Sequence, residues 1–245
     1  MTTNHDMASR ALNLIDLTSL GSDDSTEDVV QLCSDATTTH GNVAAVCVWP
    51  RFVGTAVAAL EGTGIPVAGV ANFPEGDTDI ARAVADAREI VDAGGTEVDV
   101  VFPWKALREG QVGVGEELVA ATRQAIGPDV SLKVILETGE LHDSDLIGAA
   151  AAEAIAGGAD FLKTSTGKTE RSATPEAVTQ LLQIVSAHPE AIGVKISGGV
   201  RSVDDARIYI DLADEALGRE QVTNQRVRIG ASSLLQDVLS ALEAG

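Results

Sequence analysis

The sequence predicts an α/β fold: a single (β/α)8 TIM barrel with a short N-terminal helix, occupying residues 1–245 as one domain. Three observations lead there. Strand-like and helix-like stretches alternate eight times along the chain. The strand-like stretches are near-continuous apolar runs, the pattern of parallel strands covered on both faces. The length of 245 residues matches the about 250 that such a barrel uses as one unit. No composition shift or polar linker divides the chain. A doubly wound open sheet is the competing architecture. It usually carries a Gly-x-Gly-x-x-Gly turn after its first strand, and here that turn reads Thr18-Ser19-Leu20-Gly21-Ser22.

Residues 1–10 predict a short helix or cap, and residues 11–18 the first strand. A helix over 27–38 carries Val29, Val30, Leu32 and Cys33 at helical spacing. The continuous apolar run 43–48 is the second strand, ending at Trp49-Pro50, and 52–60 is a helix closed by Gly62 and Gly64. Residues 65–74 form the third strand and its exit. The helix over 77–93 starts at an aspartate or Thr78 cap and stops at Gly94-Gly95. The fourth strand is 96–103, followed by a helix over 114–126 that Gly127-Pro128 ends. The fifth strand is 131–137, and an alanine-rich helix over 144–156 stops at Gly157-Gly158. The sixth strand begins the run 158–168. Thr174-Pro175 then opens a helix to 187, with Thr174 as cap and proline in the first helical position. Strand seven is 193–197, its helix 202–216, strand eight 226–230 and the last helix 233–242.

The net charge of −20 argues against nucleic acid and anionic membrane as partners. No apolar run reaches the ~18–20 residues of a membrane span, and the first ten residues carry no signal-peptide pattern. A cytoplasmic protein is expected. Such an acidic chain, with five lysines against twelve arginines, suits a salt-rich cytoplasm where screening removes self-repulsion. Two cysteines, Cys33 and Cys47, are too few for a disulfide framework or a cysteine-rich zinc site. The four histidines have no ligand spacing, and Asp23-Asp24 and Asp204-Asp205 read as helix-start charges. No metal or cofactor is called for. Oligomeric state stays open, with a homodimer among the options.

In a barrel of this kind function sits at the C-terminal ends of the strands. The polar residues at or near those ends are Asp16, Asn72, Asp99, Glu137, Lys163 and Lys195. Asp16 and Asn72 also suit the common task of satisfying loop amides. Asp99 stands among Val98, Val100, Val101 and Phe102, and a buried carboxylate needs a partner. Lys163 and Lys195 enter from neighbouring strands six and seven. Two amines in one dry cavity are not both comfortable as cations, so one stays charged and drives the other toward its neutral, nucleophilic form. Asp99 can hold the charged one and exchange protons. Together these residues predict Schiff-base chemistry. Lys133, opening strand five, is a candidate third interior lysine holding Glu137 or Asp99.

A second group of residues suits an anion. Ser197-Gly198-Gly199-Val200-Arg201-Ser202 follows strand seven, and Gly230-Ala231-Ser232-Ser233 follows strand eight. Each is small, offers backbone N–H groups and leads into a helix N-terminus, which is how a phosphate is held. Gly167 and Lys168 can add a donor and a charge from the loop beside them.

Over nearly its whole length the sequence resembles the deoxyribose-phosphate aldolases. The likeness runs through Leu14-Ile15-Asp16-Leu17-Thr18, Cys47 with Pro50-Arg51-Phe52, Asn72-Phe73-Pro74 and the stretches 97–103 and 133–141. It continues in 161–168, Gly198-Gly199-Val200-Arg201 and Gly230-Ala231-Ser232-Ser233, and Lys163-Thr164-Ser165-Thr166-Gly167 is its most specific part. The resemblance implies a class I aldolase. Lys163 would form the Schiff base, Lys195 would perturb it, and Asp99 would give and take protons. Asp16, Cys47 and Lys133 would support them. The substrate would be a small sugar phosphate, cleaved without a cofactor. Two departures stand out. Many relatives have proline and a small residue after the lysine of strand seven, where this chain has Ile196-Ser197. Some end in a tyrosine-bearing tail, whereas Tyr209 is the only tyrosine here, so tail-assisted protonation is not expected. Other readings are a different phosphate-binding barrel enzyme, either another Schiff-base aldolase or a sugar-phosphate isomerase, and a barrel that only binds a phosphorylated ligand.

Overall fold

A computed structural model describes residues 3–188 and 190–244. Among them, eight parallel strands close a barrel: β1 (Ile15–Thr18), β2 (Ala45–Val48), β3 (Val67–Ala71), β4 (Glu97–Val101), β5 (Ser131–Ile135), β6 (Phe161–Lys163), β7 (Gly193–Ser197) and β8 (Val227–Ala231). Each strand pairs with its neighbours in sequence, and β8 closes on β1. The predicted (β/α)8 architecture is therefore the observed one. An N-terminal helix α1 (Asn4–Leu12) precedes β1. The outer layer continues with α2 (Thr26–Asp35), α3 (Val53–Ala59), α4 (Ile80–Asp92), α5 (Val114–Ile126), α6 (Ser144–Ala156), α7 (Pro175–Ala187), α8 (Val203–Leu217) and α9 (Leu234–Glu243). Of the predicted first helix, Met1 and Thr2 lie outside the described residues.

Local chemistry explains the boundaries. Ser25 and Asp28 form a reciprocal capping box at α2, and Ser202 and Asp205 do the same at α8. Thr174 caps α7 with Pro175 in its first turn, as the sequence predicts. The first strand is shorter than expected, because Ala11 and Leu12 end α1, where both are buried. The helix expected over 27–38 stops at Asp35, and Thr37–Thr38 instead pairs antiparallel with Gly41–Asn42. Gly41, at φ 123°, makes that reversal. Two short helices, Trp104–Arg108 and Thr138–Leu141, were not anticipated.

The apolar core lies between the strands and the helices. Close packing there dictates some small residues. A side chain at Gly69 would put its Cβ 2.5 Å from Ile90 of α4; inside the barrel, one at Gly193 would stand 2.3 Å from the Phe161 ring. Glu153 of α6 reaches across to accept from the backbone N–H groups of Gly113, Gly115 and Glu116 at the start of α5. The inside of the barrel differs: Lys133 and Lys195 are among the largest side chains it buries completely. No helix among the described residues is long and apolar enough to cross a membrane.

Candidate active site

Side chains alternate faces along a strand, so Glu97 and Asp99 of β4 share the inward face. In register, Asp99 stands beside Lys133, Lys163 beside Lys195, and Lys195 beside Arg228. Asp16 stands beside Gly230, two residues on from Arg228. Six of these groups form a closed ring of alternating charge. Asp99 Oδ1 accepts from Lys133 Nζ at 2.9 Å, and Lys133 Nζ also donates to Glu97 Oε2 at 2.5 Å. Glu97 Oε1 accepts from Arg228 Nη2 at 3.0 Å, and Arg228 Nη1 donates to Asp16 Oδ1 at 2.6 Å. Asp16 Oδ2 lies 2.6 Å from Lys195 Nζ, a charge contact, and Lys195 Nζ donates to Asp99 Oδ2 at 2.8 Å. Every member is buried.

Three carboxylates and three cations balance in that ring. Lys163 is the seventh group, donating to the same Asp99 Oδ2 at 2.8 Å. A charged Lys163 would leave the buried cluster with one positive charge in excess. Burial therefore lowers the pKa of Lys163, and Lys195 pushes the same way against the pull of Asp99. Burial works on Lys195 and Lys133 too. For Lys195 it is overridden by Asp16 and Asp99, and for Lys133 by Asp99 and Glu97, so both stay firmly protonated. Burial would raise Asp99, yet Lys133, Lys163 and Lys195 hold it well below the usual carboxylate range. Burial likewise opposes the ionisation of Asp16, and Lys195 and Arg228 override it.

Of the three interior lysines only Lys163 lines the cavity at the C-terminal mouth, a space of about 400 Å³. Gly167, Lys168, Gly198, Gly199, Arg201, Gly230, Ser232 and Ser233 line it with Lys163, so the two groups of residues singled out in the sequence meet in one place. Gly198 and Gly199 are both left-handed, at φ 87° and 86°, which strongly favours glycine. A Cβ at Gly230 would stand 3.2 Å from Lys195 Cε and 2.4 Å from Ser197 Oγ, so that glycine leaves room for the lysine. The two flanking helix starts differ. At α8, Asp205 takes the amides of Arg201 and Ser202, and Asp237 takes that of Val203. At α9, Ser233 makes no side-chain cap, which leaves its first turn available to an anion.

The structure corrects some expectations. Of the two partners expected for Lys133, Asp99 is the observed one and Glu137 is not; Glu97 is its second partner. Glu137 instead accepts from the Thr166 amide and hydroxyl and from Thr169 Oγ1, holding the loop that carries Gly167 and Lys168. Asp16 serves the ring rather than loop amides. Asn72 does not satisfy loop amides either: its side-chain amide donates to the carbonyls of Asp77 and Val101. Cys47 is buried on the barrel's inner face, and burial pushes its thiol up. Lys168 Nζ donates to the Leu20 carbonyl at 2.6 Å, spanning to the loop after β1. Ile196 is buried, and Ser197 donates its N–H to Thr164 Oγ1 at 3.0 Å, so Ile196-Ser197 keeps the end of β7 tied to β6. Glu97 and Arg228 were missed. Their signal was present: Arg228 interrupts an apolar strand, and Glu97 precedes Asp99 by two.

A parallel barrel with a destabilised ammonium at the floor of its C-terminal cavity defines a class I, lysine-dependent aldolase. Comparison with known proteins agrees. The DeoC/LacD family aldolase pattern matches residues 10–240, and the chain belongs to that family. A provisionally assigned deoxyribose-phosphate aldolase from Toxoplasma gondii superposes with a TM-score of 0.87 at 26% identity, covering 100% of this chain and 98% of that one. Another from Coccidioides immitis gives 0.81 at 29%, covering 95% and 86%. The tetrameric deoxyribose phosphate aldolase of Aeropyrum pernix gives 0.77 at 27%, covering 100% and 94%.

Proposed function

We propose that this aldolase reversibly cleaves 2-deoxy-D-ribose 5-phosphate to D-glyceraldehyde 3-phosphate and acetaldehyde. The observation that carries the reading is the placement of Lys163: it is the odd charge on a balanced ring, and it lines the cavity. Its amine attacks the C1 aldehyde of the open-chain sugar. With uptake of one proton and loss of water it becomes a protonated imine, the electron sink. Asp99, ionised in the resting site, takes the C3 hydroxyl proton through a water. The C2–C3 electron pair moves toward the imine, giving an enamine and releasing D-glyceraldehyde 3-phosphate. Lys195 and Asp99 return a proton to C2, and water hydrolyses the imine to acetaldehyde and free Lys163. General acid–base help of this kind is worth about 10²–10⁴-fold.

In this reading the phosphate lies against Gly198, Gly199, Ser232, Ser233 and the uncapped start of α9, with Gly167, Lys168 and Arg201 at the rim. Its binding energy positions the reacting carbon. Asp16, Cys47 and Lys133 stand around the chemistry without meeting substrate. The enzyme is read as a cytoplasmic, one-domain barrel that needs neither nucleic acid nor membrane, and the Aeropyrum pernix tetramer suggests a homo-oligomer. The test is turnover of 2-deoxy-D-ribose 5-phosphate with both products quantified. Equal amounts of acetaldehyde and D-glyceraldehyde 3-phosphate, abolished in Lys163→Met, are expected; isomerisation to a ketose without cleavage would overturn the reading.

A further inference from the structure

Arg228 and Glu97 are the members of the ring furthest from the chemistry. Neither lines the catalytic cavity. Arg228 borders instead a separate space with Asn13, Asn224 and Gln225, and its Nε donates to the Asn224 carbonyl. Both are buried, and each contacts the other as well as one upper carboxylate or lysine: Arg228 meets Asp16, and Glu97 meets Lys133. Removing either leaves the ring with an unbalanced charge. The excess is felt at Lys163, the one amine attached to the ring without belonging to it.

We infer that Arg228 and Glu97 are positioning residues of the reaction, setting the charge state of Lys163 through the ring from outside the cavity. The inference rests on Lys163 being the reacting amine. The groups around Lys163 are Asp99 and Glu97 from β4, Lys195 from β7, Lys133 from β5, Arg228 from β8, Asp16 from β1, Cys47 from β2 and Glu137 in the loop after β5. Of these, burial keeps the Cys47 thiol protonated, and Glu137 stands outside the ring, held by Thr166 and Thr169 and the same in every variant. The six ring members sum to zero with Lys163 neutral. Without Arg228 the sum is one negative charge, which favours a protonated Lys163. Without Glu97 it is one positive charge, which disfavours it. Without both it is zero again.

The β8 and β6 strands stand two apart, roughly 10 Å at strand spacing. A unit charge at that distance moves a partly screened group by about one pH unit.

The experiment is reductive trapping of Lys163 by acetaldehyde and cyanoborohydride across a pH series. Labelling is read by peptide mass, with exposed Lys105 as internal reference. Arg228→Met is expected to move the midpoint for Lys163 up by about one pH unit, and Glu97→Gln down by about one. The Arg228→Met/Glu97→Gln double variant is expected back at the wild-type midpoint. Residues serving stability alone would not give shifts of opposite sign that cancel. Glu97→Gln keeps the side-chain volume and decides the matter if Arg228→Met does not fold. A downward shift supports the ring; an unmoved or upward midpoint overturns it. Absence of label on wild-type Lys163 would defeat the Schiff-base reading itself. A labelled wild type whose variants do not shift would defeat only the role of Arg228 and Glu97.

Discussion

Lys163 and Lys195 share a single oxygen: each ammonium nitrogen stands 2.8 Å from Asp99 Oδ2. The two are in register on adjacent strands, yet their environments part. Lys195 has a second carboxylate in Asp16 at 2.6 Å, whereas the carboxylate holding Lys163 is Asp99, already shared with Lys133 and Lys195. The shared oxygen therefore sustains one cation and leaves the other amine free to react. For Lys195→Met, kcat/KM is expected to fall about 10²–10⁴-fold. The acid limb of the remaining activity should move to higher pH, because Lys163 then has Asp99 with one cation fewer. A pH–rate profile measures both. An unmoved limb would mean that Lys195 does not tune its neighbour.

The same imbalance predicts a stability cost for activity. Lys163 has a lowered pKa in the folded protein, so below its unfolded value, about 10.4, its protonation favours the unfolded chain. Lys163→Met removes that cost and fills the space with a side chain of similar length. Thermal unfolding at neutral pH is expected to occur above the wild-type temperature, with activity lost. A lower melting temperature would show Lys163 to be a structural cation.

Asp99 and Asp16 have folded pKa values below their unfolded ones, so the sign is reversed for them. Their contribution to stability is present above the unfolded carboxylate pKa, about 3.9, and is lost as pH falls toward the folded values. Lys133 and Lys195 are raised, so theirs is present below about 10.4 and lost as pH rises through their folded values. Urea midpoints are expected to fall at both ends, and between them to rise toward alkaline pH as the unfolded chain loses its extra proton on Lys163. In Asp99→Asn three buried lysines lose a shared partner, at a cost of about 3–5 kcal/mol, and its acid-side decline should be shallower than that of wild type.

At the cavity rim, Lys168→Met should raise KM for the phosphorylated sugar about 10-fold or more, the worth of one charge-assisted hydrogen bond. Cleavage of unphosphorylated 2-deoxyribose should hardly change. Steady-state kinetics on the two sugars makes the comparison, and equal effects on both would remove Lys168 from the phosphate site.

Much of this site could be read before folding, for a physical reason. Lys163, Lys195 and Asp99 are charges inside apolar strands, and burial makes such residues costly unless used. The strand and helix bounds were clearest where glycine or proline punctuates them, as at 114–126 and 144–156. Arg228 and Glu97 are less legible because they sit early in their strands, away from the C-terminal ends where barrel sites lie. The ring they complete joins residues up to 212 positions apart, and no single stretch reveals which groups will face each other across a barrel. The helices Trp104–Arg108 and Thr138–Leu141 have 5 and 4 residues, too few for a periodic signal. Ala11 and Leu12 suit a helix end or a strand start equally, and packing on α1 decides.

In the proposed cycle Lys163 carries the covalent intermediate, and borohydride reduction in the presence of acetaldehyde tests this directly. After reduction and digestion, a stable ethyl increment is expected on the peptide bearing Lys163, with none on Lys133 or Lys195. No increment, or an increment on Lys195 in its place, would contradict the account.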